Sequence, residues 1–191
     1  MISFRRIPGP LYLTLLIYAL CLLGGLFLAP LLGGARPTYD VLRAGPGAVV
    51  SGLIINLMGG PISEELGWRG VVWDRMRAKR PFLTSALVLG LIWALWHLPL
   101  FWVEGTSQNT LYAFPGIGFW AFILQGVLFT VLFGWVYDRT DRSILSAILL
   151  HWSVNAAANT LYPFGPVAIA VTTVLLAVVV AVLAAPGPRQ T

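Results

Sequence analysis

Long apolar runs alternate with short polar, arginine-bearing segments along this chain, with runs at roughly 11–32, 46–68, 82–103, 116–137, 143–160 and 165–185. A membrane helix needs about 20 mainly apolar residues, so the pattern predicts an all-α bundle of about six transmembrane helices. The second run is broken by Gly59-Gly60-Pro61, and the third and fifth each hold a histidine, His97 and His151. Pro61 suits the first position of a restarted helix, with Ser63 a candidate N-cap and Glu64 and Glu65 in its first turn. Pro99, just beyond His97, predicts a loosened helix there because proline lacks a backbone donor. Trp102, Trp120, Trp135, Tyr137 and Trp152 fall near the ends of runs, where amphipathic rings act as interfacial anchors.

Composition agrees with the pattern. The 191 residues are 58% hydrophobic and 10% charged, with a mean hydropathy of +0.84, whereas globular domains are about a quarter charged. Neither a linker nor a shift in composition divides the chain, so residues 1–191 read as one integral membrane domain. The first run follows Arg5 and Arg6 but is longer than a signal-peptide core and lacks a convincing cleavage site, so it reads as a membrane helix.

The net charge of +5 belongs to short loops rather than to a nucleic-acid surface. With the N-terminus inside, the inner segments hold Arg5, Arg6, Arg75, Arg77, Lys79, Arg80, Arg139, Arg142 and Arg189, and the outer ones hold Arg36 and Arg43. The positive-inside rule and six crossings then put both termini inside. The partners expected are the lipid bilayer and a membrane-associated substrate, with no nucleic acid. Cys21 is the lone cysteine and reads as a small buried hydrophobe. No repeat is evident, and no inverted repeat of the transporter kind.

Ionisable groups in a bilayer cost several kcal/mol each and point to function. Here they are Glu64, Glu65 and Arg69 on the second run, His97 on the third, and His151 with Asn155 on the fifth. Glu65 and Arg69 are spaced to pair on one helical face. Glu64 points about 100° away and needs another partner. Trp93 lies one turn before His97. His151 and Asn155 project towards one cavity, where Ser153 and Asn159 could join them. A carboxylate, two imidazoles and an amide on helices 2, 3 and 5 form the inventory of water-activating hydrolysis. The same groups could serve a proton-coupled transporter, or persist in a non-catalytic immunity or scaffold protein. No His-Glu-x-x-His or Gly-x-Ser-x-Gly motif occurs, and no aspartate lies mid-span. Counted from the inner ends, His97 is about 20 Å deep and His151 about 12 Å, so tilt or a later membrane entry must level them.

Glu-Glu-x-x-x-Arg at Glu64, Glu65 and Arg69, aromatic-x-x-x-His at Trp93 and His97, and His-x-x-x-Asn at His151 and Asn155 together resemble the CPBP family. These are the CAAX prenyl endopeptidases and their bacterial Abi relatives, and the family-like core is about 61–160. The resemblance implies an intramembrane endopeptidase of the CAAX-protease or bacteriocin-processing type, acting on a peptide or a protein tail near the inner side. By it, Glu64 and His97 activate water, His151 and Asn155 stabilise the oxyanion, and Glu65, Arg69 and Trp93 support the site. A metalloprotease alternative has Glu64, His97 and His151 holding a divalent ion such as zinc. Trp93 stands where many members have Phe, which preserves an aromatic wall. Some members have eight spans against about six here. An Ala/Gly/Arg-rich, Lys-poor composition suggests a bacterial cytoplasmic membrane.

Overall fold

The computed structural model describes residues 8–36, 40–158 and 165–184, and all regular structure among them is helical. Arg5, Arg6, Asn159 and Arg189 lie outside the described residues. The elements are α1 (Pro8–Leu28), α2 (Asp40–Arg43), α3 (Pro46–Met58), α4 (Pro61–Gly67), a π-helical turn (Trp68–Trp73), α5 (Asp74–Arg77), α6 (Phe82–Trp96), a 3-10 turn (Leu98–Trp102), α7 (Ser107–Thr110), α8 (Ile117–Arg139), α9 (Ile144–Ala156) and α10 (Pro166–Ala184). Among the described residues four helical stretches, Gly9–Leu28, Pro46–Arg77, Phe82–Trp102 and Ile117–Arg139, are long and apolar enough to cross a membrane. The fifth and sixth apolar runs form the shorter helices Ile144–Ala156 and Pro166–Val182. The protein is an integral membrane protein.

The second span breaks where glycine and proline predict. α3 stops at Met58, and α4 restarts with Pro61 at its first position after Gly60. Ser63 is not the cap: its hydroxyl donates to Gly60 O at 3.1 Å from one turn inside the helix. The span also runs on to Arg77 instead of ending near residue 68, because Val71, Val72 and Trp73 keep it apolar. The π-helical turn after Gly67 left no mark in the sequence pattern; such turns recur at functional sites.

Helix geometry resolves the apparent mismatch in depth. α5 and α6 meet through Ala78–Pro81, so positions equally far from that hairpin are level. Glu64 stands about 20 Å up from Arg77, and His97 about 22 Å up from Phe82. α9 starts deep in the protein, with Ser143 and Ser146 almost fully buried and Ile144 against Gly70. Gly70 is already about 10 Å up from Arg77, so His151 arrives at the level of the other two.

Close helix contact fixes this level. A Cβ at Gly90 of α6 would stand 2.6 Å from Val127 Cα of α8, and one at Gly126 would stand 2.8 Å from Ala94 Cβ. Small residues of this kind let membrane helices approach. At the other end, Trp73 Nε1 donates to Asp138 Oδ1 (2.8 Å), Arg77 pairs with Asp138 (3.3 Å) and Arg142 with Asp74 (3.6 Å). Both basic loops therefore lie at one end, as a belt. Among the expected anchors, Trp102 and Trp120 are exposed, but Tyr137 is buried in the core. Trp152 instead ties α9 to α3, donating to Leu53 O at 2.8 Å.

Candidate active site

Restarting the helix at Pro61 puts Glu64 in its first turn and turns Glu64 and Glu65 to different surroundings. Glu64, half-buried, lines a cavity of about 460 Å³ together with Trp93, His97, His151 and Asn155. Glu65 does not line it. Its Oε1 accepts from Arg69 Nη1 (2.9 Å) and from His151 Nδ1 (2.7 Å), and Glu65 and Arg69 are 0% and 1% exposed. The expected pair therefore forms, but its outward reach is to His151, not to Glu64.

Glu64 has its own partner, Trp93, whose indole Nε1 donates to Oε2 at 2.7 Å. The aromatic wall expected at this position is thus also a hydrogen-bond donor, which a phenylalanine could not supply. The Trp93 ring packs edge-on to both imidazoles, 5.4 Å from each. The Arg69 guanidinium lies over the rings of Trp93 and Phe133, at 5.4 and 4.6 Å. Arg69 Nε and Nη2 have no hydrogen-bond acceptor among the described residues, so Glu65 is the counter-charge that Arg69 touches.

The end of α6 sets the state of His97. Pro99 prevents the helix from continuing, the His97 N–H turns back to Ala94 O, and the Trp93 carbonyl accepts from His97 Nδ1 at 2.7 Å. A carbonyl can only accept, so Nδ1 carries the proton and Nε2 keeps the lone pair in the neutral ring. His151 differs because its Nδ1 faces a carboxylate. Each imidazole thus has its Nδ1 held by a fixed oxygen, the Trp93 carbonyl for His97 and the Glu65 carboxylate for His151.

Two further features were not foreseen. Gly60 faces the Glu64 carboxylate so closely that a Cβ there would stand 2.7 Å from Oε1 and 3.9 Å from Asn155 Nδ2. The glycine, read from sequence only as a helix breaker, also gives the carboxylate its room beside Asn155. The second feature is a polar chain along the cavity wall: Tyr112 donates to Gln125 (3.1 Å), Gln125 to Thr173 (2.7 Å), and Thr173 to Ile169 O (2.7 Å). Burial pushes the Tyr112 phenol up to about 12, which keeps it a donor. Gln125 was detectable as a lone amide inside an apolar run, but its partners are 13 and 48 residues away.

Zinc needs three protein ligands converging on one point. Among the described residues no three His, Cys, Asp or Glu side chains are grouped to hold a metal ion, and Glu64 Oε2 is engaged by Trp93. The set Glu64, His97 and His151 does not fit such a centre here.

The model of the family described as Type II CAAX prenyl endopeptidase Rce1-like matches residues 46–157, which contain all seven residues singled out from the sequence. Over 96 residues the chain is 31% identical to CAAX prenyl protease 2 of Methanococcus maripaludis, covering 48% of this chain and 34% of that protein. The matched stretch thus spans about a third of the length of that curated relative.

Proposed function

Because this chain belongs to the Type II CAAX prenyl endopeptidase Rce1-like family, we propose that it is an intramembrane endopeptidase that hydrolyses a peptide bond with water activated by Glu64. The observation that carries this reading is the division of the two carboxylates. Glu64 meets His97, His151 and Asn155 at one cavity, while Glu65 and Arg69 sit behind it.

Each group suits one step. The Glu64 carboxylate and the bare Nε2 of His97 are both acceptors and take the proton of the attacking water. Trp93 fixes the Glu64 carboxylate by donating to Oε2, leaving Oε1 for that water. The tetrahedral intermediate puts negative charge on the former carbonyl oxygen, and the Asn155 amide and His151 are its donors. For His151 to donate through Nε2 while Nδ1 donates to Glu65, the ring must carry both protons, and Glu65 is its counter-ion. Glu64, Glu65, Arg69 and a protonated His151 then sum to zero charge, which suits a site away from bulk water. Proton return from Glu64 or His97 to the leaving amine completes hydrolysis.

The substrate class is a peptide or the tail of a membrane-associated protein. The test is incubation of the purified chain in liposomes with internally quenched peptides, one bearing a C-terminal farnesylated CAAX sequence and one without lipid. The expected result is a new amine and a new carboxylate from one bond, identified by mass spectrometry and lost in His151→Ala. Intact peptides at enzyme concentrations equal to substrate would overturn the reading.

A further inference from the structure

We propose, on the peptidase reading above, that Gln125 is a substrate-binding residue whose side-chain amide hydrogen-bonds one uncharged main-chain peptide unit near the bond to be cleaved. Cleavage is the part taken from that reading. The fit to a peptide unit stands on the cavity wall alone.

Position comes first. Phe122, Gln125, Gly126 and Phe129 line the cavity from α8, and their spacing puts them on one helical face. Gln125 is the polar side chain of that face. Its neighbour Gly126 meets α6 so closely that a Cβ there would stand 2.8 Å from Ala94 Cβ. Ala94 lies between Trp93 and His97 in the chain, so the amide stands at their level. The Phe122 ring is 5.4 Å from the His97 ring and 5.1 Å from the Tyr112 ring. Tyr112 therefore lies within about 11 Å of His97, a span that about three residues of extended chain cover.

Orientation is fixed by the hydrogen bonds behind the wall. The Thr173 hydroxyl donates its one proton to Ile169 O at 2.7 Å, so towards Gln125, also at 2.7 Å, it can only accept. The nitrogen end of the amide therefore faces Thr173, and the oxygen end accepts from the Tyr112 phenol at 3.1 Å. Thr173 and Ile169 belong to α10 and do not line the cavity, whereas Tyr112 and Gln125 both do. A primary amide has two N–H groups and two lone pairs on its oxygen. One of each is engaged in this chain, and one of each is left. A peptide unit offers the complementary pair, one N–H and one C=O. Among the described residues neither lysine nor arginine lines the cavity, so the match is to an uncharged peptide unit.

Bonding between helices does not by itself account for the arrangement. A tie from α8 to α10 needs only the Thr173 end, and such ties contribute little in membranes. The Tyr112 bond adds nothing to that tie. It reaches in from the connection between α7 and α8 and fixes the oxygen end of the amide.

The test couples the side chain to a single substrate atom. Each main-chain amide of the two quenched peptides is replaced in turn by an ester, which lacks the N–H, and KM is measured in liposomes for the parent, Gln125→Leu and Tyr112→Phe. In the parent, one ester position is expected to raise KM by about 5- to 150-fold, the range for leaving a buried polar group unpaired, with kcat little changed. In Gln125→Leu that ester and its amide counterpart should share one raised KM, and in Tyr112→Phe the discrimination should shrink. A merely structural role would lower the melting temperature of the variants and leave the discrimination among esters as in the parent. Dissociation constants for dye-labelled peptides of the same panel are taken by fluorescence polarisation on the Glu64→Gln background, where the peptides stay intact. Cleavage in which every ester changes KM by the same factor in all three proteins overturns the proposal and leaves the peptidase reading intact. Absence of cleavage with the discrimination present in the dissociation constants overturns the peptidase reading and upholds the binding role of Gln125. Absence of both overturns both.

Discussion

Removing the charge of Glu65 tests the division between the two neighbouring carboxylates most sharply. Glu65 and Arg69 are 0% and 1% exposed, and two of the three guanidinium nitrogens of Arg69 have no acceptor among the described residues. Glu65→Gln therefore leaves a buried cation without a counter-charge, which costs about 3–5 kcal/mol. For a chain of this size each kcal/mol moves the melting temperature by about 2–4 °C, so a fall of roughly 6–20 °C is expected. The assay is size-exclusion chromatography of the detergent-solubilised protein after a heating series. Glu64→Gln in the same assay should melt with the parent, because Glu64 borders a cavity and its amide can still accept from Trp93. The double variant Glu65→Leu/Arg69→Met, which replaces the buried pair by apolar side chains, should recover most of the loss in stability. It should not recover turnover, since His151 Nδ1 has lost its acceptor. A Glu65→Gln variant that melts within about 2 °C of the parent, less than the shift of a single kcal/mol, would refute the reasoning.

Trp93→Phe keeps the ring between the imidazoles and removes the donor to Glu64. A hydrogen bond to a charged group contributes about 1.5–3 kcal/mol, so turnover should fall by roughly 10- to 150-fold at an unchanged melting temperature, and equal turnover would show that the indole does not position the carboxylate. Gly60→Ala should displace the Glu64 carboxylate, since the new methyl would stand 2.7 Å from Oε1. Its turnover should drop while the protein still elutes as a folded monodisperse peak. Metal analysis of the purified protein should find zinc well below one per chain and equal in the parent and Glu64→Ala; stoichiometric zinc lost in the variant would replace Glu64-activated water by metal-bound water.

The parts of the molecule that were legible in the sequence are those governed by local rules. The apolar runs located the helices, Gly59-Gly60-Pro61 located the break, Pro99 the loosened end after His97, and the Glu65–Arg69 spacing its pair. What depended on contacts between distant helices was not legible. That Glu65 reaches His151 across 86 residues and Glu64 reaches Trp93 across 29 follows from the α5–α6 hairpin and the recessed start of α9. Neither leaves a periodic trace. Tyr137 failed as an anchor for the same reason: its place near a run end suggested the interface, but the packing of α8 turns it into the core.

The central claim is that the Glu64 carboxylate activates the water that cleaves a peptide bond. The most direct measurement is the single-turnover cleavage rate of Glu64→Gln beside the parent in liposomes, with melting temperatures recorded on the same preparations. A general base contributes about 10²–10⁴-fold, so the account predicts a loss in that range with the fold unchanged. A Glu64→Gln protein that is folded and cleaves at the parental rate would contradict it.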